Sequence, residues 1–268
     1  MLHSVALRTL KDQRKALFAW AVSLAALVAM YVAVYPSVKG SSSFAKLIDQ
    51  MPKAYRALFT TGGGADFTTP AGYVNTELMT FMGPLLVMVY AIGAGANALA
   101  GEEERGTIDL LLANPVSRAR VALGKFSSLV VGTAVLAAVL WVALAAEGAA
   151  AGMDLPLGNT AAALLQLALL GIEFGTLALF VGALSGHLTL SRAVPALLAV
   201  VTYLINGLGP MVGWLNPLRP ASPFFHYIGN DPLRNGLSLR GLVVSTLTIA
   251  VLLFASLYTF RSRDLVTR

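Results

Sequence analysis

Residues 16–35 contain no charged side chain, and five further runs of the same apolar character follow at 74–100, 126–151, 161–186, 193–215 and 241–260. A helix needs about 20 predominantly apolar residues to cross a hydrocarbon layer of about 30 Å, so each run is long enough to span a bilayer. Hydrophobic residues fill 57% of 268 positions, charged ones only 12%, and the mean hydropathy is +0.74. A soluble domain has no interior able to hide that much apolar surface. In lipid every backbone polar group must be satisfied internally, and the runs are continuously apolar rather than alternating, which selects helices over a barrel. The expected fold is an all-α polytopic membrane protein: one transmembrane domain over residues 1–268 with six transmembrane helices.

The flanks set the orientation. Arg8, Lys11, Arg14 and Lys15 precede the first run, which is too long, and lacks the small-residue cleavage site, to be a removed signal peptide. With six spans and the N-terminus inside, inner segments carry Arg8, Lys11, Arg14, Lys15, Arg105, Arg118, Arg120, Lys125, Arg192, Arg261, Arg263 and Arg268. Outer segments carry Lys39, Lys46, Lys53, Arg56, Arg219, Arg234 and Arg240. This bias favours both termini in the cytoplasm, and the expected location is the cell membrane of a bacterium. The net charge of +6 is then explained by topology and anionic lipid, and no groove-reading or base-stacking pattern suggests nucleic acid. The absence of cysteine excludes disulfides and thiolate metal sites without naming a compartment.

Two segments outside the runs are amphipathic. In residues 1–15, Leu2, Val5, Ala6 and Leu10 recur at helical spacing while most charges lie on other faces, which predicts a helix lying on the inner membrane surface. Between the first two spans, in the outer loop 36–73, a stripe of Phe44, Leu47, Ile48, Met51, Tyr55, Leu58 and Phe59 predicts a second such helix, kinked at Pro52. A second outer loop is expected at 216–240. Thr69-Pro70 is a natural start for the second span.

No G-x-x-x-x-G-K-[ST] phosphate loop, G-x-S-x-G elbow or H-E-x-x-H helix occurs, and His3, His187 and His226 are too scattered for a metal site. Leu184-Ser185-Gly186-His187 sits at a helix end with none of the surroundings of a nucleotide-binding signature loop. Intrinsic enzymatic activity is not expected.

The dense charge lies in the inner segment 101–125. Glu102, Glu103 and Glu104 followed by Arg105 extend a helix beyond the membrane, and Ile108, Leu111 and Leu112 repeat at i, i+3 and i+4 before Pro115 forces a turn. Ser117 can then cap a new helix whose Arg118, Arg120 and Lys125 mark the inner end of the third span. A tight solvated hairpin would need no more than this.

The run Gly101-Glu102-Glu103-Glu104-Arg105-Gly106-Thr107-Ile108-Asp109-Leu110-Leu111-Leu112, with Pro115-Val116-Ser117-Arg118 and Gly124-Lys125, closely resembles the charged loop of ABC-2-type permeases, the membrane subunits of ABC exporters. Ser222-Pro223-Phe224-Phe225-His226-Tyr227 followed by Asp231-Pro232-Leu233 and Gly236 is similar to the loop before the last span in that family. The resemblance covers essentially the whole chain. It implies that two permease copies, expected as a homodimer, form the pathway, and that two separate ATP-binding subunits sit beneath them. ATP and Mg would belong to that partner, and this chain would bind no cofactor.

The resemblance makes the segment a coupling region made of Glu102, Glu103, Glu104, Arg105, Thr107, Ile108, Asp109, Leu111, Leu112, Pro115, Arg118 and Arg120. An apolar ridge of Ile108, Leu111 and Leu112 would dock on the ATPase, with Arg118 and Arg120 pairing with its acidic residues.

Polar groups within the spans are the candidates for a translocation path. A charge at the bilayer centre costs about 2.5–3.5 kcal/mol, so Glu173, and Glu147 nearer the outer end of its span, need partners or a wet cavity. Gln166 lies two turns from Glu173 on the same face; Asn97 and Asn206 suit hydrogen bonding between helices. Small residues at Gly93, Gly95 and Gly101, and at Gly171, Gly175 and Gly182, allow close helix approach. The expected function is an exporter permease for a hydrophobic or amphipathic substrate. The alternative is a proton-coupled secondary transporter using Glu173 and Glu147, against which stands the lack of any counterpart of the charged segment in the second half. A membrane enzyme or scaffold has no recognisable catalytic pair to support it.

Overall fold

Six helices long and apolar enough to cross a membrane lie at Val5–Val38, Pro70–Ala98, Arg118–Ala150, Leu157–Ser185, Leu188–Leu208 and Leu239–Ser262, one for each apolar run. They come from a computed structural model that describes residues 2–41, 46, 50–52, 54, 58, 69–108 and 117–263. Among the described residues every regular element is a helix. The chain is a multi-pass helical membrane protein.

Helix α1, Leu2–Val38, is one continuous helix of 37 residues, so the separate surface helix expected over 1–15 is not what forms. Neither glycine nor proline stands between the basic stretch and the apolar run to break it. Its first turns are also held against the third span: the Ser128 hydroxyl donates to the Ala6 carbonyl at 3.0 Å, and a Cβ on Gly124 would come within 2.9 Å of Val5. The outer amphipathic helix expected around 44–59 falls mostly outside the described residues. Of its stripe, Leu58 accepts at its carbonyl from the Tyr203 hydroxyl at 2.6 Å.

The second span is built in three pieces: α2 (Pro70–Val74), a wide π turn (Asn75–Met82) and α3 (Gly83–Ala98). Thr69 caps it, its side-chain oxygen accepting from the Gly72 amide at 3.3 Å, and Pro70 occupies the first turn where its missing N–H costs nothing. In the π turn the Thr80 hydroxyl donates to the Asn75 carbonyl five residues back, and the Gly83 amide reaches the Leu78 carbonyl. The Met79 carbonyl accepts from the Tyr227 hydroxyl at 2.8 Å. Such turns are rare and concentrate at functional positions.

Short helix α4 (Ala100–Glu104) follows, then α5 (Arg118–Ala150), α6 (Leu157–Ser185) and α7 (Leu188–Leu208). Helix α6 is the central post: 72% of its apolar window is buried, against 17% for α1 and α7. Glycines explain how it gets there. A Cβ on Gly95 of α3 would overlap the Gly175 carbonyl, one on Gly175 would meet Leu129 at 2.8 Å, and one on Gly171 would meet Val87 at 2.7 Å. Only a bare backbone permits that crossing of α3, α5 and α6.

Helix α7 stops at Leu208, earlier than the apolar run to 215, because Gly209-Pro210 cannot continue it. A 3-10 turn (Asn216–Ala221), α8 (Pro223–Ile228) and α9 (Pro232–Asn235) then return the chain to α10 (Leu239–Ser262). This return is stitched to the bundle by side chains bonding to backbone. Ser222 donates to the Thr202 carbonyl at 2.8 Å, and the Asn159 amide donates to the Leu233 and Arg234 carbonyls at 3.1 and 3.0 Å. His226 Nε2 lies 2.8 Å from the Pro220 carbonyl, which can only accept, so Nε2 carries the proton.

Candidate functional site

The charged segment joins α3 to α5 at one end of the bundle, here the charged end. Leu99 breaks the second span with φ −121 and ψ −61, and α4 turns away carrying the three glutamates. Gly106, at φ +67, closes the turn that follows, where a left-handed backbone favours glycine. Thr107 then folds back on Glu102: its amide donates to the Glu102 carbonyl at 2.9 Å, and its hydroxyl reaches the Glu102 carboxylate.

Each glutamate has a distinct place. Glu102 Oε1 sits 2.5 Å from Lys125 Nζ, and that lysine is only 8% exposed; Arg105 stands further off at 3.9 Å. Burial alone would raise the Glu102 pKa, but the hydrogen bonds from Lys125 and Thr107 and the charges of Lys125 and Arg105 outweigh it and hold the carboxyl below its ordinary value. Glu103 pairs with Arg263, just beyond α10. Glu104 is exposed.

Arg118, capped into α5 by Ser117, reaches the same helix end. Its guanidinium donates to the Arg263 carbonyl at 2.6 Å and the Phe260 carbonyl at 3.3 Å, and lies 6.0 Å above the Phe260 ring. A cation on the last carbonyls of a helix satisfies orphan acceptors and complements the helix dipole. The segment is therefore tied to α5 through Glu102 and Lys125, and to α10 through Glu103 and Arg263.

Ile108, expected on an outward docking ridge with Leu111 and Leu112, is instead 4% exposed. It lies in a small apolar cluster with Leu99, Ala122, Leu179, Ala183 and Phe260, and so anchors the segment to the bundle. Asp109, Leu111, Leu112 and Pro115 lie outside the described residues. Arg120 is half-buried near the start of α5.

The four path candidates are not brought together. Gln166 is 3% exposed and spends its amide nitrogen on the His226 and Tyr227 carbonyls, each at 3.1 Å, which ties the returning loop to α6. Glu173 is buried between α6 and α10, where Ser245 hydrogen-bonds it and its Oε2 has no partner. Glu147 sits near the far end of α5, also with an unpartnered oxygen. Asn97 stands at the charged end, donating to the Gly93 carbonyl at 2.7 Å.

Pattern reading missed three groups. Lys125 and Arg263 carry no local signal of pairing, since their partners lie 23 and 160 residues away in sequence. Glu77 was legible as a carboxylate inside the run 74–100; it lies in the π turn beside Tyr31 and Tyr73 around a small void. Next to it, Asn75 donates to Asp231 at 3.3 Å, and Asp231 holds a left-handed φ of 46. Burial raises the Asp231 carboxyl pKa, with the Arg234 charge and backbone amide opposing.

Comparison with known proteins agrees with the six spans. A stretch of 83 residues is 40% identical to the "Probable ABC transporter permease protein NosY" of Stutzerimonas stutzeri, covering 29% of this chain and 29% of that protein. The model of the ABC-2 family transporter proteins matches residues 4–265, nearly the whole chain. A six-span helical chain matched over that length is a transport permease, and it belongs to the ABC-2 family of transporter proteins.

Proposed function

We propose that this chain is the permease subunit of an ATP-driven exporter, working as a homodimer with two separate ATP-binding subunits docked at the charged end, which faces the cytoplasm. The observation that carries the reading is the double tether of the charged segment. Glu102 grips Lys125 in α5, and Glu103 grips Arg263 at the end of α10, where Arg118 also holds the terminal carbonyls. A partner that pushed on this segment would move two spans together, because the tethers are ionic and part-buried and not loose surface contacts.

Docking itself falls to Leu111, Leu112 and the exposed Glu104. Ile108 acts from beneath as the anchor. ATP and Mg are held by the partner, and the permease supplies the pathway for a hydrophobic or amphipathic substrate.

Co-purification with the candidate ATPase tests the reading. Leu111→Asp with Leu112→Asp abolishes the complex or leaves ATP hydrolysis without transport. An intact complex with unchanged transport removes the segment from the coupling role. Transport that continues without ATP and stops when the proton gradient is dissipated would select the secondary-transporter alternative.

A further inference from the structure

A groove of about 540 Å3 opens between α1 and α3, floored by α5; the tether pair Glu102 and Lys125 and the path candidate Asn97 line only its charged end. That volume is within the range of small-molecule sites. Its walls change character along their length in a consistent way. On α1, Asp12 and Gln13 line the charged end and Trp20 the deeper part. On the second span the order runs in reverse, from Val89 and Tyr90 at depth to Asn97, with Arg105 beyond it; on the floor, Lys125 gives way to Leu129. Three helices of alternating direction thus agree on one gradient, polar at the charged end and apolar or aromatic toward the membrane interior.

Val89, on the lip, is 51% exposed within a membrane span, so the groove has a side facing lipid. At its deep end Trp20 and Tyr90 meet edge to face with centroids 6.1 Å apart. The Tyr90 hydroxyl, on a residue only 7% exposed, has no hydrogen-bond partner. Gly93 faces open space: a Cβ built there meets nothing within 4 Å, whereas Gly95, two residues on, is packed solid.

The charges at the mouth balance. Lys125 and Glu102 satisfy each other. That leaves the Arg105 guanidinium, half-exposed and loosely held, and the exposed Asp12 carboxylate, which has no partner among the described residues. Among the residues lining the mouth, one exposed cation and one exposed anion match a head that carries both charges, while a purely anionic head would leave Asp12 facing it.

We infer that this groove is a binding site for a zwitterionic phospholipid of the adjoining leaflet. Arg105 takes the phosphate, Asp12 takes the ammonium, and an acyl chain runs inward past Gly93 to the Trp20–Tyr90 pair. The site belongs to one chain and does not depend on the exporter reading; a permease of any energy source would carry it.

Brominated lipid chains quench tryptophan on contact, so the test uses the full-length chain in detergent with Trp141 and Trp214 replaced by Phe, leaving Trp20 as the only reporter. Brominated phosphatidylethanolamine is titrated against brominated phosphatidylglycerol, with soluble glycerophosphoethanolamine as a competitor. The expected result is saturable quenching by phosphatidylethanolamine at an affinity about fivefold or more above phosphatidylglycerol, roughly the scale of one exposed ion pair. The soluble head competes only weakly. Gly93→Leu removes the saturable component with helicity and melting temperature kept, because its side chain enters open space. Asp12→Asn removes the preference between the two lipids, and Arg105→Gln weakens both.

Equal affinity for the two lipids overturns the zwitterion assignment. Strong competition by the soluble head assigns the groove to a free phosphate-bearing solute instead. Unsaturable quenching that Gly93→Leu leaves unchanged shows only surrounding lipid, and loss of a dimer in Gly93→Leu without change in quenching gives the groove to a second copy; either result overturns the site.

Discussion

Lys125 Nζ lies 2.5 Å from Glu102 Oε1, joining the segment after the second span to the first turns of the third, and both side chains are mostly buried. Removing one member leaves the other charge buried and uncompensated, which costs about 3–5 kcal/mol. Lys125→Met is expected to lower thermal stability on that scale in detergent. Glu102→Leu combined with Lys125→Met is expected to recover much of the loss, because two apolar groups leave no orphan charge. A double variant as unstable as the single one would count against the pairing.

The same pair sets an acid limit. The Glu102 carboxyl titrates below its ordinary value in the folded protein, so its contribution is present above the unfolded carboxylate pKa of about 4.3 and is lost as pH falls through the lower, folded value. Melting temperature measured from pH 7 down to pH 3 should fall more steeply in the parent than in Glu102→Gln. Parallel curves would exclude Glu102 as the source.

Glu103 and Arg263 are the second tether, and their loss should separate stability from function. Each single alanine variant is expected to cost only about 1 kcal/mol, and a double-mutant cycle to show coupling of roughly 0.5–3 kcal/mol. In the complex with the ATPase, ATP hydrolysis should continue while transport falls. Equal loss of both activities would point to misfolding, checked by gel filtration.

Gln166 is a structural pin. Gln166→Leu strips the donor from two buried carbonyls, His226 and Tyr227, and is expected to destabilise by about 1–3 kcal/mol. Limited proteolysis should then cut first in the loop from 209 to 238.

Glu173 decides between energy sources. Under ATP-driven transport Glu173→Gln keeps its hydrogen bond to Ser245 and supports transport that still requires ATP. If Glu173→Gln abolishes transport and the parent activity follows the proton gradient, the carboxyl carries protons.

Much of this was legible in the chain, for reasons that differ by element. Six apolar runs translate directly into spans because lipid leaves the backbone no other choice. Thr69 and Ser117 announce helix starts locally, and both cap. What the chain hid depends on distant partners. Ile108 has the spacing of an exposed ridge, yet Leu179 and Phe260, from two other spans, cover it. The basic stretch before residue 16 looks like a surface helix, but Gly124 and Ser128 of the third span draw it into one continuous rod with the first. The π turn has no sequence signature beyond Glu77 and the neighbouring Asn75.

That rod has a mechanical meaning. At 1.5 Å per residue, 37 residues extend about 55 Å, well beyond the roughly 30 Å of hydrocarbon, with no glycine along the length and its one proline, Pro36, in the last turn. It is clasped near its base by Gly124 and Ser128 and has no hinge above that fulcrum. A tilt at the charged end is therefore carried without a bend to the far membrane face, where the Tyr73 hydroxyl of the second span donates to the Tyr31 carbonyl at 3.1 Å and ties the two helices together.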